Sequence, residues 1–419
     1  MYLHSLGTPR HVKSVIIGRI TKLPVQALDA RSDFVAFATP DSIRRFEGDW
    51  GGYGAILSTL SSGDVACDEQ AAVFGVKHLE YLSDGDVVRI APSGTVHTLF
   101  RRNSPHNTIL ATERCNSLCL MCSQPPREID DSFRAAEILR LIDLIDPSCE
   151  EVGISGGEPT LLGEDFLRIV SKFEEKLPRT ALHILTNGRR LKDSTFAERL
   201  AAIDHPDLML GIPLYSDIDA QHDYVVQAPG AFNETVTALY NLARVGVLVE
   251  IRVVLHAQTY RRLPQLAEFI YRNFPFVSHV ALMGMEMFGF VHKNMEVLWI
   301  DPVDYQRELE EATLALAMRG LAVSVYNHQL CTIPRSIWPF ARKSISDWKN
   351  VYLEECEKCV VKEACGGFFH SATKRHSAHI RAISEGLTSR GQLEDIKARR
   401  NTAEAQPTRE SQFTHSAPY

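Results

Sequence analysis

Seven of the nine cysteines fall into two groups, Cys115, Cys119 and Cys122 in one and Cys331, Cys356, Cys359 and Cys365 in the other. Thiolates gathered at such short spacings hold metal, either tetrahedral zinc or the corners of an iron–sulfur cube. No export signal precedes them, so metal rather than disulfides is expected. The first group, Cys-x3-Cys-x2-Cys, supplies three ligands and leaves one corner of a four-iron cube open; zinc with a distant fourth ligand is the competing reading. The second group supplies four ligands, enough to close a structural or electron-relaying site around iron–sulfur or zinc. Cys67 and Cys149 stand apart and read as small buried hydrophobes.

A second motif, Ile154-Ser155-Gly156-Gly157-Glu158-Pro159, stands one strand–helix unit further on. Two successive glycines let a backbone approach a ligand closely, and a carboxylate beside them can accept from an ammonium group. An iron left open by three thiolates can bind the amino and carboxylate groups of S-adenosylmethionine (SAM). An electron passed through the cluster could then cleave the sulfonium. A plain strand-to-helix turn is the alternative for the glycines taken alone.

Six apolar stretches, 107–113, 150–155, 181–187, 207–214, 248–255 and 277–284, alternate with amphipathic segments near 131–145, 163–176, 194–203, 231–245, 262–273 and 302–319. That alternation specifies βα units and a parallel sheet. Six units are too few to close an eightfold barrel, so the expected fold is α/β, a partial (β/α)6 barrel over 105–300 with its chemistry at the strand C-terminal ends. Both motifs follow a strand directly. Residues 1–104 carry short β-prone stretches such as 66–73 and 86–90, broken by Ser61-Ser62-Gly63-Asp64 and Ser83-Asp84-Gly85-Asp86, which specify a small β-rich N-terminal domain. Such a domain could offer a strand edge to a leader peptide by β-augmentation, or be a plain structural cap. Residues 301–383 have few clear helices and read as a metal-stapled extension, and 384–419 is polar and without periodicity, an expected disordered tail.

With these motifs in place the chain resembles the radical SAM superfamily, on Cys115, Cys119, Cys122 and the Gly156–Pro159 turn, over about 105–300. The resemblance implies that the three cysteines are the catalytic group and hold a [4Fe-4S] cluster at which SAM is cleaved. It implies that Met121, where an aromatic residue is common, flanks the adenine, and that Gly156, Gly157, Glu158 and Pro159 line the cofactor. By position, Thr186, Asn187, Ser216 and Arg252 at later strand ends are its further contacts. Each of these four also has an ordinary reading as a turn cap, a strand-end hydrogen bond or a surface charge. The Cys356-x2-Cys359-x5-Cys365 segment resembles the twitch or SPASM extensions of peptide-modifying members, which implies one auxiliary [4Fe-4S] cluster with Cys331 as its fourth ligand.

Longer strings resemble the His-Xaa-Ser system radical SAM maturases of the C type (HxsC): Thr112-Glu113-Arg114-Cys115-Asn116, Ser123-Gln124-Pro125-Pro126, Tyr326-Asn327-His328-Gln329-Leu330-Cys331, Ser344-Ile345-Ser346-Asp347-Trp348-Lys349-Asn350 and Cys365-Gly366-Gly367-Phe368-Phe369. That resemblance implies a maturase of a precursor peptide with His-Xaa-Ser repeats, working beside a second radical SAM maturase and fed by an electron donor such as flavodoxin or ferredoxin. Two alternatives stay open: a radical SAM enzyme acting on a small metabolite or RNA, and a catalytically silent zinc or iron–sulfur scaffold that partners an active maturase.

The 419 residues, 45% hydrophobic and 23% charged, suffice for a main domain with one or two smaller ones. A formal net charge of −7 offers no basic field for long nucleic acid or an anionic membrane. There is no run of about 18 apolar residues. Met1-Tyr2-Leu3-His4-Ser5 lacks the charged-then-apolar order of a signal peptide, so the cytoplasm is the expected location.

Overall fold

The computed structural model describes residues 3–65, 67, 69–343, 350–373 and 375–384. Most of the Ser344–Asn350 string and the tail from residue 385 onward lie outside the described residues. Two compact units are present, one made of 1–109, 132–153 and 168–182 and the other of 110–131, 154–167 and 183–419.

In the first unit, strands β1 (His4–Leu6), β2 (Thr8–Arg10), β3 (Ile16–Thr21), β4 (Phe34–Ala38), β5 (Ala55–Ser58), β6 (Ala72–Phe74), β7 (Val87–Ile90) and β8 (Thr95–Phe100) form one sheet in the order β1-β8-β7-β3-β4-β5-β6-β2. The two end strands of that order are separated in sequence by Gly7 alone. One kinked N-terminal stretch therefore pairs with β8 on one side and β6 on the other, both antiparallel, and the sheet closes on itself. At the kink the Gly7 N–H donates to Gly94 O at 3.1 Å, and a Cβ on Gly94 (φ +83°) would stand 2.3 Å from Gly7 O. Closure removes the open edge that the sequence reading offered to a peptide, so that expectation is not met. Strands also begin at His4, well ahead of the β-prone stretches; β1 and β2 are three residues each, too short for alternation to show. Ile20, Val35, Leu57, Val73, Leu79, Val88 and Ile90 fill the interior, fully buried. Phe46, Trp50, Tyr53 and Cys67 form a second cluster with outward residues of the sheet, so Cys67 is the buried hydrophobe expected of it. Helix α1 (Phe133–Leu144) belongs to this unit: Arg19 Nε donates to Leu144 O at 2.7 Å and Arg89 pairs with Glu137 at 2.9 Å.

The second sheet contains β9 (Asn107–Leu110), β10 (Glu151–Ser155), β11 (Ala181–Leu185), β12 (Leu208–Pro213), β13 (Leu248–Leu255), β14 (His279–Gly284), β15 (Val323–Tyr326) and β16 (Ala341–Arg342), in the order β16 through β9. Pairing from β12 to β16 is parallel throughout, as βα units require. The connecting helices are α2 (Glu164–Lys176), α3 (Ser194–Ala201), α4 (Asp219–Val226), α5 (Ala231–Val245), α6 (Leu263–Asn273), α7 (Val291–Leu298) and α8 (Gln306–Met318). Local chemistry sets their ends: the Asp193 side chain caps α3 through Thr195 N–H, and α5 runs between Gly230 and Gly246, both left-handed. The α/β fold and its parallel sheet are as read from the sequence. The sheet has eight strands rather than six, because β15 and β16 extend it. Among the described residues no helix is long and apolar enough to cross a membrane.

Gly94→Ala should destabilise the first unit by about 2 kcal/mol or more through the clash at Gly7 and the strained φ. Gly63→Ala, whose Cβ would meet nothing within 4 Å, should change stability by less than about 0.5 kcal/mol. Urea unfolding of the two variants checks the contrast, and equal midpoints would contradict the closure.

Candidate active site

The residues that carry Cys115 are held by a carboxylate that sequence reasoning missed. Fully buried Asp131 accepts from Thr112 Oγ1 at 2.9 Å, Glu113 N at 2.6 Å and Arg114 Nε at 3.1 Å. Burial alone would raise the Asp131 pKa, but these donors outweigh it and hold the carboxyl below its ordinary range. Gly156 and Gly157 meet the same segment from the other side. The Gly157 N–H donates to Thr112 O at 2.7 Å and the Glu158 N–H to Arg114 O at 2.8 Å. A Cβ would come within 2.4 Å of Thr112 O at Gly156 and 2.1 Å of Arg114 O at Gly157. The close approach for which glycine is needed is thus to this chain's own backbone.

Further along the loop, Arg189 Nη1 donates to Asn116 O and to Ser117 Oγ while its Nε pairs with Glu234 at 2.6 Å. The Leu118 and Leu120 N–H groups donate to Val226 and Val225 carbonyls at the end of α4, and Cys122 O accepts from Phe290 N at 2.9 Å. Burial pushes the Cys115 thiol up to about 11 and the Cys119 thiol up to about 12, with neighbouring cysteines adding to both. Thiols so raised are poor nucleophiles at neutral pH, whereas a metal deprotonates a ligating thiol outright. Backbone N–H groups of Asn116 and Ser117 face Cys115, and that of Gln124 faces Cys122.

Glu158 is fully buried, and its carboxylate accepts from Thr160 N at 2.9 Å, Thr160 Oγ1 at 2.5 Å, Thr186 Oγ1 at 2.6 Å and Asn187 N at 2.7 Å. Pro159, buried beside it, opens a short turn of helix. Four donors fill the carboxylate and fix the Thr186–Asn187 turn, whose Asn187 amide nitrogen lies 3.9 Å from Cys115 Sγ. Met121 is buried in a cluster with Tyr215, Val225 and Met287, against Cys119. Ser216 donates to Gln221 Oε1 at 2.7 Å and accepts from Ile218 N, the bonds of a turn cap. Arg252 binds Glu250 at 2.5 Å, and Glu250 also pairs with His279 at 2.7 Å. Burial would raise Glu250, but Arg252 and His279 hold it far below the carboxylate range.

In the second cysteine group, burial raises the Cys331 and Cys365 thiols, and neighbouring thiols add to the rise. Leu330 and Gly367 N–H groups both point at Cys365 Sγ, at 3.5 Å each, and the Ile383 N–H points at Cys359 Sγ at 3.5 Å. Such N–H···S bonds favour thiolate and tune iron–sulfur sites. Among the described residues no three Cys, His, Asp or Glu side chains converge as ligands of a single ion. Trp338 is core, its indole N–H donating to Leu330 O at 3.0 Å. Buried His328 accepts from Tyr305 OH on Nε2 at 2.9 Å while Nδ1 donates to Tyr326 O, and burial lowers it to about 4, so it is neutral at pH 7.

A small cleft of about 50 Å³ opens at the carboxyl ends of β13, β14 and β15. On one side Met285, Met287, Leu298 and Trp299 pack in the same cluster as Cys119 and Met121. On the other stand Asn327 and Gln329, just ahead of Cys331 in sequence.

Because the folded pKa of Asp131 is lowered, the stability it contributes is complete above about pH 5 and is lost as pH falls through that lowered value. Asp131→Asn should cost about 2 kcal/mol at pH 7. The gap from the parent protein should shrink toward pH 3 in urea unfolding; a gap that does not vary with pH would contradict the clamp.

Residues 109–270 match the Radical SAM superfamily. No curated protein matches the chain in sequence. Among solved structures it is similar to Streptococcus suis SuiB bound to S-adenosylmethionine, at 20% identity over 54% of this chain and 51% of that one, with a TM-score of 0.43. It is also similar to anSMEcpe bound to AdoMet and Cp18Cys peptide, at 13% identity over 71% and 98%, with a TM-score of 0.47. The chain thus spans about half the length of SuiB. The superfamily implies SAM and a [4Fe-4S] cluster, and a loop with three clustered thiols faced by backbone N–H groups fits that cluster. Over residues 109–270 the chain is therefore similar to the Radical SAM superfamily.

Proposed function

We propose that this chain is a radical SAM enzyme that modifies a ribosomally made peptide, with the SAM-binding cluster on Cys115, Cys119 and Cys122 and an auxiliary [4Fe-4S] cluster on Cys331, Cys356, Cys359 and Cys365. The observation that carries the reading is the cleft: Met285, Met287, Leu298 and Trp299, which pack in one cluster with Cys119 and Met121, line it together with Asn327 and Gln329. When bound, the cluster and SAM supply an electron and a 5′-deoxyadenosyl radical able to take a hydrogen atom from the substrate.

The chain's own residues place and shield that chemistry. Asp131 and Arg189 fix the thiols, and Glu158 holds the Asn187 amide beside Cys115. Met121 gives the adenine an apolar face, and the carbonyls around Gly156 and Gly157 with Ser216 take the polar groups of SAM. Arg252, oriented by Glu250, turns its remaining N–H groups to the SAM carboxylate. Met285, Met287 and Trp299 exclude water from the cleft. The strings 112–116, 326–331 and 365–369 support a precursor with His-Xaa-Ser repeats, a second maturase as partner, and a flavodoxin or ferredoxin as electron donor. On this reading 301–383 is the auxiliary extension and 1–104 a separate N-terminal domain.

Co-expression with a His/Ser-repeat precursor, with and without the partner maturase, should give a peptide mass change that requires this chain. An unchanged mass in every combination would contradict the peptide reading. In purified protein, replacing Cys115, Cys119 and Cys122 by Ala should reduce 5′-deoxyadenosine to background, whereas Cys356→Ala with Cys359→Ala should spare SAM cleavage and block product. Cleavage that survives the first change refutes the assignment, and zinc in place of about eight irons per chain favours the scaffold alternative.

A further inference from the structure

The cleft has a charge character that the peptide reading does not require. Among the described residues no Asp or Glu lines it, although the chain as a whole carries a net charge of −7. Arg375, the one arginine among the described residues that line it, has its guanidinium carbon 4.8 Å from the ring centre of Trp299, which also lines the cleft. Among the described residues no carboxylate pairs with Arg375. Asp301, two residues from Trp299, is already taken: it accepts from Ser377 Oγ at 2.6 Å, Val303 N at 3.0 Å and Ala378 N at 3.0 Å. Stacking on an indole holds a guanidinium by its face and leaves the N–H groups of its edge free. Those groups form a planar fork that matches a carboxylate with two parallel hydrogen bonds. On the Trp299 side, half-buried Met285 offers flexible apolar surface, backed by buried Met287 and Leu298.

Resting on the peptide reading, we propose that the cleft selects a peptide segment that presents a carboxylate next to an apolar side chain, with Arg375 as the carboxylate receptor. The apolar group lies against Met285 beside Trp299, and the carboxylate meets the open edge of the guanidinium. An acidic side chain and a peptide C-terminus offer the same group, and the test separates them. Arg375 is exposed and lies outside the cysteine loops.

Four fluorescent peptides of one sequence, with Asp or Asn at the central position and a free or amidated C-terminus, are titrated against the reconstituted full chain by anisotropy. At least one carboxylate should tighten binding about tenfold relative to its amide counterpart. Arg375→Gln should abolish that preference, and Arg375→Lys, which keeps the charge without the fork, should restore part of it. A preference that follows the side chain, or one that follows the terminus, supports the proposal and names the source. Equal binding of acid and amide, or a preference that survives Arg375→Gln, overturns it. Peptides bound and modified without any charge preference overturn this inference alone. Failure to bind any of the four overturns it and also counts against the peptide reading, which the co-expression mass change tests separately.

Discussion

The Glu158 carboxylate is closed off from water and accepts four hydrogen bonds, from Thr160 N, Thr160 Oγ1, Thr186 Oγ1 and Asn187 N. A buried carboxylate costs several kcal/mol unless donors compensate it, so the turns after β10 and β11 cannot separate without stranding a charge. The main chain of the same segment donates to Thr112 and Arg114, the residues that lead into Cys115. Three chain segments are thereby locked together where the candidate chemistry sits. The two glycines before Glu158 make this possible, because a Cβ at either one would collide with the segment leading to the cysteines.

From that lock the rest of the site follows in two directions. Toward the thiols, Asp131 and Arg189 supply the charged contacts that hold the loop, and backbone N–H groups face the sulfurs. The second cysteine group shows the same arrangement, with N–H groups of Leu330, Gly367 and Ile383 aimed at sulfur. Toward the substrate side, Met121 passes packing from Cys119 to Met285, Met287 and Trp299. Asp301 pins Ser377 and Ala378, which brings the residues just after Arg375 to the cleft. Residues packed with Cys119 and Met121 thus also line the cleft.

Long periodic elements were legible in the sequence. The six strands and six helices read from alternation are β9 to β14 with α1, α2, α3, α5, α6 and α8. What escaped was short or non-local. The helices α4 and α7 have eight residues each, β15 has four and β16 two, too few for a period to declare itself. Closure of the first sheet depends on Gly7 meeting Gly94, a contact that no local pattern encodes. In the site, cysteine spacing and the Gly-Gly-Glu-Pro string are local signals and stood out. Asp131 and Arg189 act on residues 17 to 73 positions away and carry no motif of their own. Glu158 stood out for its chemistry, yet the donors that fill it come from Thr186 and Asn187, which only the fold brings near.

The most direct test of the Cys115 loop as a SAM-binding cluster site is electron paramagnetic resonance of the anaerobically reconstituted, reduced protein, recorded before and after adding SAM. A reduced [4Fe-4S] signal that changes on SAM addition, and still does so when Cys356 and Cys359 are replaced by Ala, is the result this account requires. A spectrum indifferent to SAM, or protein that takes up zinc and no iron, would contradict it.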